Sequence, residues 1–307
     1  MESEDRDLSL KGATAAFALC MLFGSNAVAI KAGLSDMGVF FLAGTRFAIA
    51  SVVLCTWAWA TRQTIRISRT QTKQMILLSA IFLVQVSLFY YGVSKTNASR
   101  ATLIVNLQPF FVLFLAHFLI PGDSITIRKL IGILLAFLGV AFVFMEKKGT
   151  TADFQIGDVI MLVVAVLWAV NAIYTKKIIS SYSPFQIAVY PMIFAVPFFF
   201  LEGFLWDPVF ISQWNMSLLA SLAYQALVTA SFGFIAWNSM LKVYGAFSLH
   251  TFVFIIPVSG VIFGGLILGE PVTYKLLIAL LLIAIGLLFV HLKQDTFPPV
   301  FPLSRNV

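Results

Sequence analysis

Arg46 lies about ten residues into an apolar run that extends from 37 to 60, about 15 Å along a helix at 1.5 Å per residue. A guanidinium at that depth in a bilayer costs about 2.5–3.5 kcal/mol on insertion scales. It presents a planar fork of N–H donors that matches a carboxylate. Arg46 therefore anchors an anionic substrate carboxylate, pins a neighbouring helix through its carbonyls, or snorkels toward the interface. Asn26 and Asn171 sit 145 positions apart in two further runs. Each amide donates and accepts, which suits an amino-acid head group or a helix–helix contact. Tyr224, Ser231 and Asn238 recur every seven residues and make one polar stripe on a helix. Thr102, Asn106 and His117 share a face of another run, and Thr102 aligns with His250 as Tyr90 aligns with Asn238. Polar stripes on several spans point to a wet central cavity, with interhelical bonding as the alternative. Trp168, Trp237, Tyr90 and Tyr91 are placed to form an aromatic box for a flat or cationic group, or else an interfacial belt. Pro109 and Pro257 lack a backbone donor and predict kinks, either fixed or gating, that free carbonyls.

Other chemistry is missing. No Asp or Glu falls deep within a run, since Glu202 and Glu270 are near helix ends, so His117 and His250 are the remaining candidates for a proton relay. There is no Walker motif, no H-E-x-x-H and no G-x-S-x-G. Ser248 and His250 face different sides of a helix and make no dyad. Cys20 and Cys55 lie inside apolar runs as buried thiols, with neither a disulfide framework nor a metal site around them. No enzyme activity, cofactor or metal is expected.

These side chains need spans to hold them. Hydrophobic residues are 60% of the 307, charged residues 11%, and mean hydropathy is +0.97, whereas a soluble domain carries roughly 25% charged residues. The net charge of +7 comes from Lys and Arg scattered through short loops rather than a patch, which excludes nucleic acid as a partner. Runs of ~20 apolar residues occur at 12–33, 37–60, 73–94, 98–120, 125–146, 156–176, 184–206, 216–241, 245–268 and 272–292. The predicted fold is an all-α polytopic membrane protein with ten transmembrane helices. With the N-terminus inside, thirteen Lys and Arg residues fall in inside segments, against six outside: Lys31, Lys95, Arg100, Lys147, Lys148 and Lys275. That bias predicts both termini in the cytoplasm. The chain also repeats itself. Lys31 and Lys176 keep the 145-residue offset of the two asparagines, and Pro109 and Pro257 are 148 apart. "GDSITIRKLIGILLAFLGV" from Gly122 matches "GEPVTYKLLIALLLIAIGL" from Gly269 at 147. Five spans per copy force the second copy to enter from the other side, which gives inverted repeats. The organisation predicted is a cytoplasmic tail (1–11), a first repeat (12–148), a linker (149–156), a second repeat (157–293) and a cytoplasmic tail (294–307).

The stretch Ser248 to Val290, with its mid-helix proline, its Gly269-Glu270 at the helix exit and its Gly-bearing last span, resembles the EamA-type exporters of the drug/metabolite transporter superfamily. "GTRFAIA" around Arg46 resembles the second span of that family's first repeat, and "GDVIMLVVAVLWAVNAIYTKK" the start of its second. The first copy has Gly122-Asp123 where the second has Gly269-Glu270. The resemblance implies export of small metabolites by alternating access from an inner membrane, through a cavity lined by spans one to four and six to nine. Amino acids or related zwitterions are the leading substrates and cationic or aromatic toxicants the alternative; exporters of aromatic amino acids are one branch. The expected partners are a small-molecule substrate and the lipid bilayer, with the protein a monomer or homodimer.

Overall fold

Hydrocarbon offers backbone amides no water, so each apolar run must satisfy its own, and a helix does so within one segment. The computed structural model describes residues 10–63, 66–119, 127–145, 152–237, 239–240, 244 and 252–291, and the regular elements among them are helices. The first span is α1 (Leu10–Gly24) continued by α2 (Asn26–Gly33). Then come α3 (Val39–Ala60), α4 (Arg69–Lys95), α5 (Ala98–Val105), α6 (Gln108–Leu119), α7 (Ile127–Phe144), α8 (Ala152–Ile178) and α9 (Pro184–Trp206). The last are α10 (Met216–Ala223), a π-helical stretch Tyr224–Gly233, α11 (Ile255–Leu268) and α12 (Tyr274–His291). Eight spans, of 18 to 25 residues, are long and apolar enough to cross a membrane, and α11 and α12 supply two shorter apolar segments. The chain is an all-α polytopic membrane protein. Its outer face agrees with that: Trp59 is 83% exposed and Leu266 78%, a surface that water would not tolerate but lipid does.

Three local features depart from straight helices. Proline's ring collides with the carbonyl four residues back, and α5 ends at Val105, four residues before Pro109. Leu107 and Phe110 then bond at i−3 rather than i−4. At Pro257 the pattern recurs, with Ile255 and Ile256 bonding at i−3 just ahead of it. The third feature is the π-helical stretch, where Ser231 Oγ donates five residues back to Ala226 O. The helix α8 begins at Ala152, inside the segment predicted as linker.

Helices in lipid gain little from hydrophobic association, so close approach through small residues matters. A Cβ on Gly139 of α7 would meet Ala279 O of α12 at 2.9 Å, and one on Gly286 of α12 would meet Gly132 O of α7 at 2.6 Å. Gly139 and Gly286 are 147 apart, as are Gly132 and Ala279, so each glycine faces the counterpart of the residue facing the other. The late end of α7 meets the early end of α12, which makes the pair antiparallel. Other contacts follow the same exchange: α4 packs on α8 and α1 on the π-helical stretch, while α3 packs on α9 and α5 on α11.

Candidate functional site

A cavity of about 630 Å³ lies between the two halves. Its wall on α4 is set by helical periodicity, since Phe82, Gln85, Val86 and Phe89 share one face. Arg46 enters from α3 and is 8% exposed. Its Nη1 donates to Tyr90 Oη at 3.0 Å and its Nη2 to Thr229 Oγ1 at 3.2 Å. Tyr90 in turn donates to Gln225 Oε1 at 2.7 Å, and the Thr229 hydroxyl lies 2.9 Å from Asn26 Oδ1. These acceptors are neutral, and among the described residues no carboxylate pairs with Arg46. Among the described residues, two buried polar atoms of residues lining the cavity have no hydrogen-bond partner: Arg46 Nε and Gln85 Oε1. The rest of the wall is mostly apolar, with aliphatic side chains interleaved with aromatic ones. Phe89 and Trp168 rings are 5.2 Å apart and Phe23 and Trp237 are 5.9 Å apart, edge to face.

The structure brings together on this cavity Asn26, Arg46, Tyr90, Asn106, Trp168 and Trp237, together with Thr102 and Pro109. Others expected there lie off its wall. Asn171 Oδ1 accepts from Thr175 one turn along its own helix. Tyr224 Oη bonds Ser25 Oγ at 2.6 Å and donates to Leu22 O, a contact between helices. Ser231 is buried against its own backbone, because the wider π turn breaks the seven-residue stripe and turns Thr229, Phe234 and Trp237 to the cavity instead. Tyr91 stacks on Phe40 rather than joining Trp168 and Trp237. Pro257 is buried behind the cavity, whose wall there is Val253 and Ile256. His117 is buried beside Phe118. Asn238 and His250 lie outside the described residues.

Gln85, Gln225 and Thr229 were not singled out from the sequence. Gln85 lies four residues, about one helical turn, before Phe89, so a count of polar residues one turn before Phe89 would have found it. Asp158 was also missed, and it is fully buried. It pairs with Arg100, whose Nε lies 3.2 and 3.1 Å from the two carboxylate oxygens and whose Nη2 also donates, and it accepts from Thr96 Oγ1 at 2.7 Å. Arg100, counted as a loop charge from the sequence, is 4% exposed and belongs to this pair.

The pair is part of a polar layer at one end of the bundle. Lys31 Nζ donates to Val93, Ser94 and Thr96 carbonyls at the C-terminus of α4, where a cation complements the helix dipole. Glu270 accepts from Ala98 N, Ser99 N and Ser99 Oγ, and Asp207 from Phe40 N and Phe41 N, so acidic groups from the second half cap α5 and α3 of the first. Desolvation pushes the Asp207 carboxyl up, and the Phe41 and Phe40 amides oppose that. Asp36 is held below the usual carboxylate range, first by the Asn215 amide and then by the Ser35 hydroxyl.

The EamA-like transporter family matches the chain twice, over residues 10–145 and 155–292. An uncharacterized transporter of Archaeoglobus fulgidus is 29% identical, the match covering 89% of this chain and 95% of that protein. A probable amino-acid metabolite efflux pump of Escherichia coli is 26% identical over 91% of this chain and 94% of its own length. A crystal structure at 17% identity has the same fold, with a TM-score of 0.67 over 92% of this chain and 96% of the other. Two family repeats that leave only short segments unmatched, folded around a cavity between them, settle the class: the chain belongs to the EamA-like transporter family, carries two EamA repeats and is a multi-pass membrane transporter.

Proposed function

We propose that this transporter exports amino acids or related zwitterionic metabolites by alternating access, with Arg46 as the anchor for the substrate carboxylate. The observation that carries the proposal is a buried arginine on the wall of a 630 Å³ cavity with neutral partners only. A desolvated cation with no counter-charge attracts an anion strongly in a low-dielectric site. The Escherichia coli relative, named for amino-acid metabolite efflux, supports the same substrate class. The aromatic wall favours a second reading, aromatic toxicants; the uncompensated Arg46 charge argues against cationic ones.

The scaffold proposed for this cycle has ten spans in two inverted five-helix repeats, 12–148 and 157–293, joined by a linker at 149–156. Tails at 1–11 and 294–307 lie in the cytoplasm, and the membrane is an inner one. The reciprocal, antiparallel packing of α7 and α12 supports an axis in the membrane plane. In proteoliposomes, amino-acid flux per folded molecule is expected to fall to near background in Arg46→Gln and to persist in part in Arg46→Lys, because lysine keeps the charge but not the fork. Native flux in Arg46→Gln would overturn the anchor role.

A further inference from the structure

The carboxylate anchor leaves Gln85 on the cavity wall unexplained. It is 6% exposed, it faces the cavity, and its Oε1 has no hydrogen-bond partner. A buried acceptor left unmade is costly in an empty protein, so it points to a donor that arrives from outside. Arg46 Nε, on the same wall, is an unmet donor. One cavity thus holds an unmet donor on a cation and an unmet acceptor on a neutral amide. The nearest neighbours of Gln85 along its own helix face, Phe82, Val86 and Phe89, offer no acceptor in its place.

We propose that Gln85 is a specificity-determining residue that accepts a hydrogen bond from the substrate's amino group while Arg46 holds its carboxylate. This rests on the carboxylate-anchor reading above and deepens it. The site then selects for an N–H donor beside a carboxylate, and it disfavours acids that lack the amine. A carboxylate alone would leave Gln85 Oε1 buried and unmet, and an amine alone would leave the Arg46 charge unmet.

The test is binding to the purified full chain in nanodiscs, read by quenching of tryptophan fluorescence, since Trp168 and Trp237 line the cavity. Four phenyl probes suit the aromatic wall: L-phenylalanine, 3-phenylpropionate without the amine, phenethylamine without the carboxylate, and propylbenzene with neither. Native protein is expected to bind phenylalanine about tenfold to a hundredfold more tightly than 3-phenylpropionate, the range for a hydrogen bond to a charged group. Gln85→Met should bind the two equally. It should also raise the melting temperature of the ligand-free protein, because it removes an unmet acceptor, whereas loss of a purely structural glutamine would lower it. Equal native affinity for phenylalanine and 3-phenylpropionate, with phenethylamine weaker, would overturn the role of Gln85 and leave Arg46 standing. Phenethylamine as tight as phenylalanine, with 3-phenylpropionate weaker, would overturn the carboxylate anchor and leave Gln85 an amine acceptor. Absence of binding by all four, or equal binding of all four, would overturn both. These native comparisons need no variant to fold.

Discussion

Replacing Asp158 by leucine strands Arg100. The aspartate is fully buried and accepts from Arg100 Nε and Nη2 and from Thr96 Oγ1, while the arginine is 4% exposed. Breaking a buried pair from one side costs about 3–5 kcal/mol, because the remaining charge is uncompensated. That is a factor of roughly 10²–10³ or more in the folding equilibrium, and a large share of a typical total stability of about 5–15 kcal/mol. The mirror change, Arg100→Met, should be milder, about 1–3 kcal/mol. A lone carboxyl can take up a proton and stay buried uncharged, whereas guanidinium cannot shed its charge, and Asp158 would still hold the Thr96 hydroxyl. Exchanging both residues for Leu and Met should return stability to within about 1 kcal/mol of native, as apolar replacements of buried pairs do. Reversible unfolding in mixed micelles, followed by circular dichroism, gives all four corners of the cycle. A cost below about 1 kcal/mol for Asp158→Leu would refute the pairing logic. So would a double variant whose loss equals the sum of the two singles.

Two further outcomes are expected. If the halves are inverted, a tag at residue 150 is reached only from outside and one at the C-terminus only from the cytoplasm; a cytoplasmic residue 150 would sink that arrangement. Asp36, held below its unfolded value of about 3.9 by Asn215 and Ser35, contributes stability that is complete above that value and is lost as pH falls through its lower folded one. Amide exchange in residues 34–38 and 207–215, corrected for intrinsic pH dependence, should therefore stay slow at about pH 5 and accelerate below about pH 4; no acceleration in acid, or the same acceleration in Asp36→Asn, would count against it.

Eight of the spans were legible because a bilayer enforces a length and a polarity on each, and Val39–Ala60 falls within two residues of the run read as 37–60. Arg46 and Pro109 were legible for a related reason: a charge or an absent donor inside hydrocarbon has few benign explanations. Pairing was not legible. Arg46 meets Thr229 across 183 residues and Arg100 meets Asp158 across 58, and no local pattern marks either contact. Asp158 was passed over because it sits near the start of its run, where a carboxylate looks like a loop charge. The stripe of Tyr224, Ser231 and Asn238 assumed 3.6 residues per turn, and the π-helical stretch removes that assumption between its first two members.

The two buried arginines separate stability from function. Arg100 has a carboxylate that accepts from its Nε and Nη2 and is itself fully buried, so its charge is balanced within the fold. Arg46 donates to two hydroxyls and lies 4.8 Å over the Phe47 ring, with no carboxylate among the described residues; it keeps Nε unmet and borders a cavity large enough for a small metabolite. Burial alone does not distinguish them, since both are over nine-tenths covered. Charge balance does. A fold that needed Arg46 only as a pin would gain from a nearby aspartate, as it does at Arg100, or from an apolar residue. A lone buried cation costs stability, and under the proposed anchor role an entering anion would offset that cost. The same reasoning underlies the role proposed for Gln85, whose buried acceptor also has no partner among the described residues. Both groups border one cavity at the interface of the two repeats, where the proposed alternating-access cycle would place a substrate between the halves.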